Sequence, residues 1–109
     1  MAAHKWESVL VLSGHERSVY SVSWGKGKGR ATAGEEYVGW LGSVGGDGVI
    51  RVWEVVEREG KIVGEEIVSE RASHGVQDTN AVSFCGREGF EGVLATAGDD
   101  GWIRVWEMS

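Results

Sequence analysis

The stretch Gly48-Val49-Ile50-Arg51-Val52-Trp53-Glu54 returns as Gly101-Trp102-Ile103-Arg104-Val105-Trp106-Glu107, with its tryptophan 53 positions further on. A glycine-rich acidic turn precedes each copy, Gly45-Gly46-Asp47 in the first and Gly98-Asp99-Asp100 in the second. Further upstream lie two alternating segments, Val19-Tyr20-Ser21-Val22-Ser23-Trp24 and Asn80-Ala81-Val82-Ser83-Phe84, each following a histidine-containing turn, Gly14-His15-Glu16 or Ser73-His74-Gly75. Histidine turn, strand, strand, acidic turn and Trp-ending strand thus occur twice in one order, and such self-similarity marks a repeat architecture.

Apolar residues alternate with polar ones along these runs and are rich in Val, Ile and Trp, which predicts half-buried antiparallel strands. The expected strands are 9–12, 19–24, 37–44, 49–55, 61–70, 79–85, 93–97 and 102–107, with no helix of useful length. Asp47-Gly48 and Asp100-Gly101 predict tight hairpins, because glycine accepts the positive φ of a two-residue turn. The Gly25-Lys26-Gly27-Lys28-Gly29-Arg30 run through Glu36 reads as a long hairpin loop, and Cys85 to Gly92 as its shorter counterpart.

Composition narrows the functional class. The chain has 109 residues, room for one small domain with a modest core. Eighteen glycines and no proline fit many tight turns. A net charge of −6 gives no general attraction to phosphate backbones or anionic lipid, so neither nucleic acid nor membrane is an expected partner. One cysteine makes no internal disulfide. No apolar run approaches the roughly 20 residues of a membrane span, and no targeting segment is visible. A soluble cytoplasmic location is expected, open to the nucleus as well.

The Gly-His pair, the Asp six residues before a Trp, and the strand Ile-Arg-Val-Trp followed by an acidic residue resemble the WD-repeat family, whose β-propeller blades each hold four antiparallel strands. The resemblance spans nearly the whole chain. It departs from the family pattern at Glu54 and Glu107, where Asp is usual, and at Ser73, where Gly precedes the histidine. It implies an all-β partial propeller over 1–109, with a first repeat over 9–55 and a second over 61–107. About two four-stranded blades are expected, the last lacking its outer strand. In that family a repeat supplies the outer strand of one blade and three inner strands of the next, which makes 9–12 an outer strand. The resemblance also implies a polar network within each blade: His15, Ser43, Asp47 and Trp53 in the first, His74, Thr96, Asp100 and Trp106 in the second. The chemistry suits it, since an imidazole can donate to a carboxylate with one nitrogen and accept from a hydroxyl with the other.

The phrasing of Gly14-His15-Glu16-Arg17-Ser18-Val19-Tyr20-Ser21-Val22-Ser23-Trp24-Gly25 and of Thr96-Ala97-Gly98-Asp99-Asp100-Gly101 is similar to the last two repeats of the fungal WD-repeat proteins of cytosolic iron–sulfur protein assembly. The segment His74 to Val82 is similar too. The resemblance implies a non-catalytic scaffold in cluster delivery to apoproteins, with cytosolic iron–sulfur targeting complex subunits as partners. A cluster takes about four Cys thiolates, so Cys85 alone could not hold one. Neither cofactor nor metal is expected, because His4, His15 and His74 lack ligand spacing.

Competing readings remain open at this point. A generic WD-repeat adaptor, a truncated non-functional fragment and, more distantly, a hydrolase using the Ser, His and Asp side chains all compete; no nucleophile-elbow motif accompanies the last. Gly25 to Gly29 lacks the ending of a phosphate loop. Cys85 is expected as a buried, inert thiol without a basic neighbour. The six tryptophans are expected in the core and between blades, except Trp102, placed at a turn edge as a contact anchor. Partner contacts are expected on the face carrying the His turns and Asp hairpins, at Arg17, Ser18, Gln77, Asp78, Asp99 and Trp102. Two blades do not close a ring, so either further blades or self-association of three or four copies is required.

Overall fold

A computed structural model describes residues 6–28, 34–71 and 78–108. Among them are seven strands and no helix: β1 (Val19–Gly25), β2 (Glu35–Gly45), β3 (Ile50–Arg58), β4 (Lys61–Glu70), β5 (Thr79–Phe84), β6 (Val93–Gly98) and β7 (Ile103–Glu107). They form two antiparallel meanders, a four-stranded sheet ordered β1-β2-β3-β4 and a three-stranded sheet ordered β5-β6-β7.

The strand pairings follow the repeat. Val22 sits opposite Ser43 and Trp24 opposite Leu41 in the first sheet, as Val82 sits opposite Thr96 and Phe84 opposite Leu94 in the second. Directly opposed residues share a face. One face of the first sheet therefore presents Trp40, Val44, Ile50 and Val52, and it meets Val82, Phe84 and Leu94 of the second sheet in a single buried cluster. Tyr37, Val68, Trp106 and Met108 close its margin. The aromatic ring of Phe84 seats on bare backbone at Gly42, where a Cβ would stand 3.0 Å from Phe84 Cε2. Between the sheets, the serine hydroxyls of β1 accept from backbone amides of β5: Val82 N–H donates to Ser21 Oγ (3.3 Å) and Phe84 N–H to Ser23 Oγ (3.1 Å).

The hairpins differ from expectation in turn type. In the β2–β3 turn Gly48 N–H donates to Gly45 C=O, so Gly46 and Asp47 are the central residues and Gly48 follows with φ 69°. Gly101 (φ 82°) stands in the same place after Asp99 and Asp100. The two-residue turn with positive φ at both centres lies instead at Glu59-Gly60 (φ 53° and 79°), between Arg58 and Lys61.

Residues 9–12, expected as a strand, have no strand partner. The segment crosses a face of the first sheet instead of lying along an edge, with Leu10 and Leu12 over Gly64 and with Val9 and Val11 turned to solvent. Trp40 and Trp53 are buried as expected of core tryptophans, but Trp6 and Trp24 are exposed; among the described residues, only this crossing segment lies over the face that carries Trp24. Cys85 is exposed too. Phe84 takes the inward position at the end of β5, and alternation turns the next residue outward.

Removal of the ring that joins the sheets should be costly: Phe84→Ala is expected to lower stability by about 3–5 kcal/mol, whereas Phe90→Ala, at an exposed ring, should stay within about 0.5 kcal/mol. Denaturant titration of both variants checks this, and equal losses would contradict the assigned core.

Candidate functional site

The chain entering β1, the end of β2, the β2–β3 turn and the middle of β3 converge on one imidazole. His15 Nδ1 lies 2.9 Å from Asp47 Oδ2 and 3.1 Å from Oδ1, and its Nε2 lies 2.7 Å from Ser43 Oγ. Trp53 Nε1–H donates to the same Ser43 oxygen at 3.1 Å. With Nδ1–H donated to the carboxylate, Nε2 accepts the serine proton, and each polar group in the chain Asp47–His15–Ser43–Trp53 has a partner. Backbone amides complete the carboxylate: Glu16 N–H donates to Oδ2 (3.1 Å) and Val49 N–H to Oδ1 (3.2 Å).

Burial by itself pushes the Asp47 carboxyl up. The hydrogen bonds from His15, Val49 and Glu16, joined by the attraction of the imidazole whenever it is protonated, outweigh it and hold the carboxyl below its ordinary value. The His15 and Asp47 side chains are each 6% exposed, so water competes weakly for these bonds.

Asp, His and Ser in hydrogen-bonded series have the connectivity of a hydrolase triad. The geometry does not offer it to a substrate. Ser43 is buried, and the Trp53 indole donates to the oxygen that would have to attack. The series fastens the sheet to the segment that precedes it.

In the second sheet Trp106 Nε1–H donates to Thr96 Oγ1 at 3.0 Å, repeating the Trp53–Ser43 bond. Asp100 Oδ1 accepts from Trp102 N–H at 3.0 Å, repeating the Asp47–Val49 bond. His74 lies outside the described residues, as does Gln77.

The remaining surface candidates lie around the same end of the sheets. Arg17 and Ser18 are exposed beside the β2–β3 turn, where Ser18 C=O accepts from Gly46 N–H. Asp78 C=O accepts from Asp99 N–H, and the Asp78 carboxylate accepts from Tyr20 OH at 3.2 Å. Asp99 in turn accepts from Asn80 Nδ2 at 2.5 Å. The Asp78 charge beside Tyr20, then its hydrogen bond, raises the phenol above its ordinary value. Trp102 is exposed at the β6–β7 turn. Tyr20 and Asn80 were not singled out in the sequence; their positions in alternating strands show only that they point outward from the core. At the opposite end, Lys26 and Arg87 line a cleft with Trp24, Phe84 and Cys85. Arg51 is buried with Nη1 2.6 Å from Glu66 Oε1 and Nε unpartnered, beneath Gly14 of the crossing segment. Among the described residues no group of three or more His, Cys, Asp or Glu side chains is placed to hold a metal ion.

Residues 6–54 and 67–107 match the family model described as "WD domain, G-beta repeat". The chain belongs to the WD-repeat family, whose members generally act as non-catalytic scaffolds for protein interactions. It is similar to the probable cytosolic iron-sulfur protein assembly protein 1 of Cryptococcus neoformans var. neoformans serotype D (strain JEC21 / ATCC MYA-565), 32% identical over 94% of this chain and 27% of that protein. The protein of the same name from Debaryomyces hansenii is 39% identical over 94% of this chain and 23% of its own length. The cytosolic iron-sulfur protein assembly protein 1 of Saccharomyces cerevisiae (strain ATCC 204508 / S288c) is 35% identical over 86% and 24%. The chain spans about a quarter of the length of these relatives.

His15→Ala takes the imidazole partner away from a buried hydroxyl and a buried carboxylate and is expected to cost about 1–3 kcal/mol. The folded-state value of Asp47 is depressed, so its contribution is complete above the unfolded carboxyl value, about 3.9, and is lost as pH falls through the folded value. Thermal melts of wild type and Asp47→Asn should therefore differ most near neutrality and converge in acid; parallel curves across that range would contradict the assignment.

Proposed function

We propose that the chain is a non-catalytic scaffold in cytosolic iron–sulfur protein assembly, holding partner subunits that deliver clusters to apoproteins. The observation that carries the reading is the similarity, across most of this chain, to relatives named for that process in three fungi. The burial of Ser43 within the His15 series supports a structural role for the groups a hydrolase would need. The cluster is cargo for the partners; a single cysteine is too few ligands for this chain to hold one. The relatives' names point to the cytosol and lend no support to a nuclear location.

The contact surface in this reading is the end of the sheets bearing Arg17, Ser18, Asp78, Asp99 and Trp102, together with Gln77. Loops held on a rigid scaffold are where binding residues concentrate. Exposed Trp and Arg are the side chains that most often dominate binding energy.

The test is binding to purified subunits of the cytosolic iron–sulfur targeting complex. Wild type should bind, and the doubly substituted Arg17→Ala, Asp78→Ala protein, if as well folded as wild type by circular dichroism, should bind about tenfold or more weakly. Unchanged affinity would remove this face as the contact surface, and no binding by wild type would leave a WD-repeat adaptor of another process.

A further inference from the structure

We infer that the cleft at the end of the sheets remote from His15 receives an acidic segment of a partner protein, which seats one apolar side chain against Val38 and Phe84 and sets its carboxylates against Lys26, Lys28 and Arg87. The cleft opens where the two sheets of this chain meet. Its walls come from β1, β2 and the loops that follow β1 and β5, and its volume is about 380 Å³, within the range of about 300–1,000 Å³ common to binding sites.

The cations are presented by backbone that the core holds in place. Tyr37 OH donates to Lys26 C=O. Gly27 (φ 62°) lies so close over the Trp40 indole that a Cβ there would run into it. The run Gly25-Lys26-Gly27-Lys28 thus has glycine where the chain presses on the core and lysine where it turns to solvent. Lys28 Nζ reaches the second sheet, 3.4 Å from where a Cβ on Gly92 would stand. Arg87 comes from the other side, on the β5–β6 loop, with its guanidinium 5.7 Å from the centroid of the Phe90 ring, a cation–π distance. Side chains ordered in advance lose less freedom when a partner arrives.

Among the described residues none of the three cations stands in a salt bridge. Glu91 also lines the cleft, but its carboxylate is turned onto its own loop, where it accepts from Gly89 N–H at 3.0 Å. The amides of Gly89 and Glu91, then the charges of Lys28 and Lys26, hold that carboxyl below its ordinary value, which places both lysines within electrostatic reach of the cleft. Glu88, next to Arg87 in sequence, does not line it. The cleft is therefore locally cationic in a chain whose net charge is −6. At physiological salt the screening length is about 8 Å, so a partner's carboxylates respond to the nearby cations far more than to the distant acidic surface.

A peptide suits this chemistry better than other anions. A lone inorganic anion leaves the apolar wall of Trp24, Val38 and Phe84 unused. Nucleic acid spreads its phosphates over a much wider area, and beyond the cleft it meets the acidic remainder of the chain. The cleft differs in place and in charge from the end bearing Asp78 and Asp99, so the scaffold holds two unlike partners at once, whichever process it serves.

The test is fluorescence anisotropy of the purified chain with a labelled peptide of alternating Asp and Glu around one central leucine. Wild type should bind it saturably, and less tightly as salt is raised. Lys26→Glu with Arg87→Glu should weaken binding at least about tenfold. Arg71→Glu with Arg104→Glu makes the same change of charge at exposed positions away from the cleft and should leave affinity within about twofold. A peptide with serine in place of the leucine should bind several-fold more weakly, and one with lysine in place of every acid should not bind. Circular dichroism confirms that each variant remains β-folded. No saturable binding by the folded wild type, an equal loss in both double variants, equal affinity for the leucine-free peptide, or displacement by equimolar inorganic phosphate would each overturn the proposal.

Discussion

The imidazole of His15 is the point on which the first sheet depends. It joins a residue upstream of β1 to Ser43 near the end of β2 and to Asp47 in the following turn, and through Ser43 to the Trp53 indole on β3. The contact spans 28 and 32 positions of sequence, so a few side-chain bonds set where the entering chain lies over the sheet. With Gly14 held against Trp53 and Arg51, the crossing segment shields the middle of β3, and β2 and β3 are buried on both faces. A sheet covered on both sides reads as a nearly continuous apolar run, as Val49 to Val56 does apart from Arg51 and Glu54, and both charged side chains have partners.

The second sheet repeats the plan with less cover. Its Thr96–Trp106 bond and its Asp100 turn copy their counterparts, yet β7 is mostly exposed where β3 is mostly buried. The same residues in the same register thus have different burial according to what lies over them. Ile50 and Ile103 differ in neighbours, not in chemistry.

Much of this was legible from alternation and repetition. Seven of the eight expected strands are present, β3 running three residues further than 49–55 implied, because Arg58 and Glu35 meet across the β2–β3 pair. What sequence reading missed depends on contacts between distant segments. Residues 9–12 alternate like a strand, but pairing requires a free edge, which no local pattern supplies. Alternation located Cys85 correctly in β5's continuation but not which parity faces inward; Phe84 decides that by its fit over Gly42. Trp24 has the composition of a core residue and the position of a surface one, since among the described residues its face is covered only by a thin strap of chain. The Asp-Gly pairs marked both hairpins, but a carboxylate accepting from the amide two residues on moved each turn one residue upstream of the glycine. Tyr20–Asp78 bridges the two sheets across 58 positions and leaves no trace in spacing.

The serine hydroxyls of β1 have a consequence for how the sheets coexist. Ser21 and Ser23 answer the amides of Val82 and Phe84 with side-chain oxygens where an adjoining strand would offer carbonyls. The inner border of the second sheet is thereby satisfied without fusing the two sheets into one, and those amides are closed to recruitment by foreign strands. Misassembly through backbone templating is thus discouraged at the inner border.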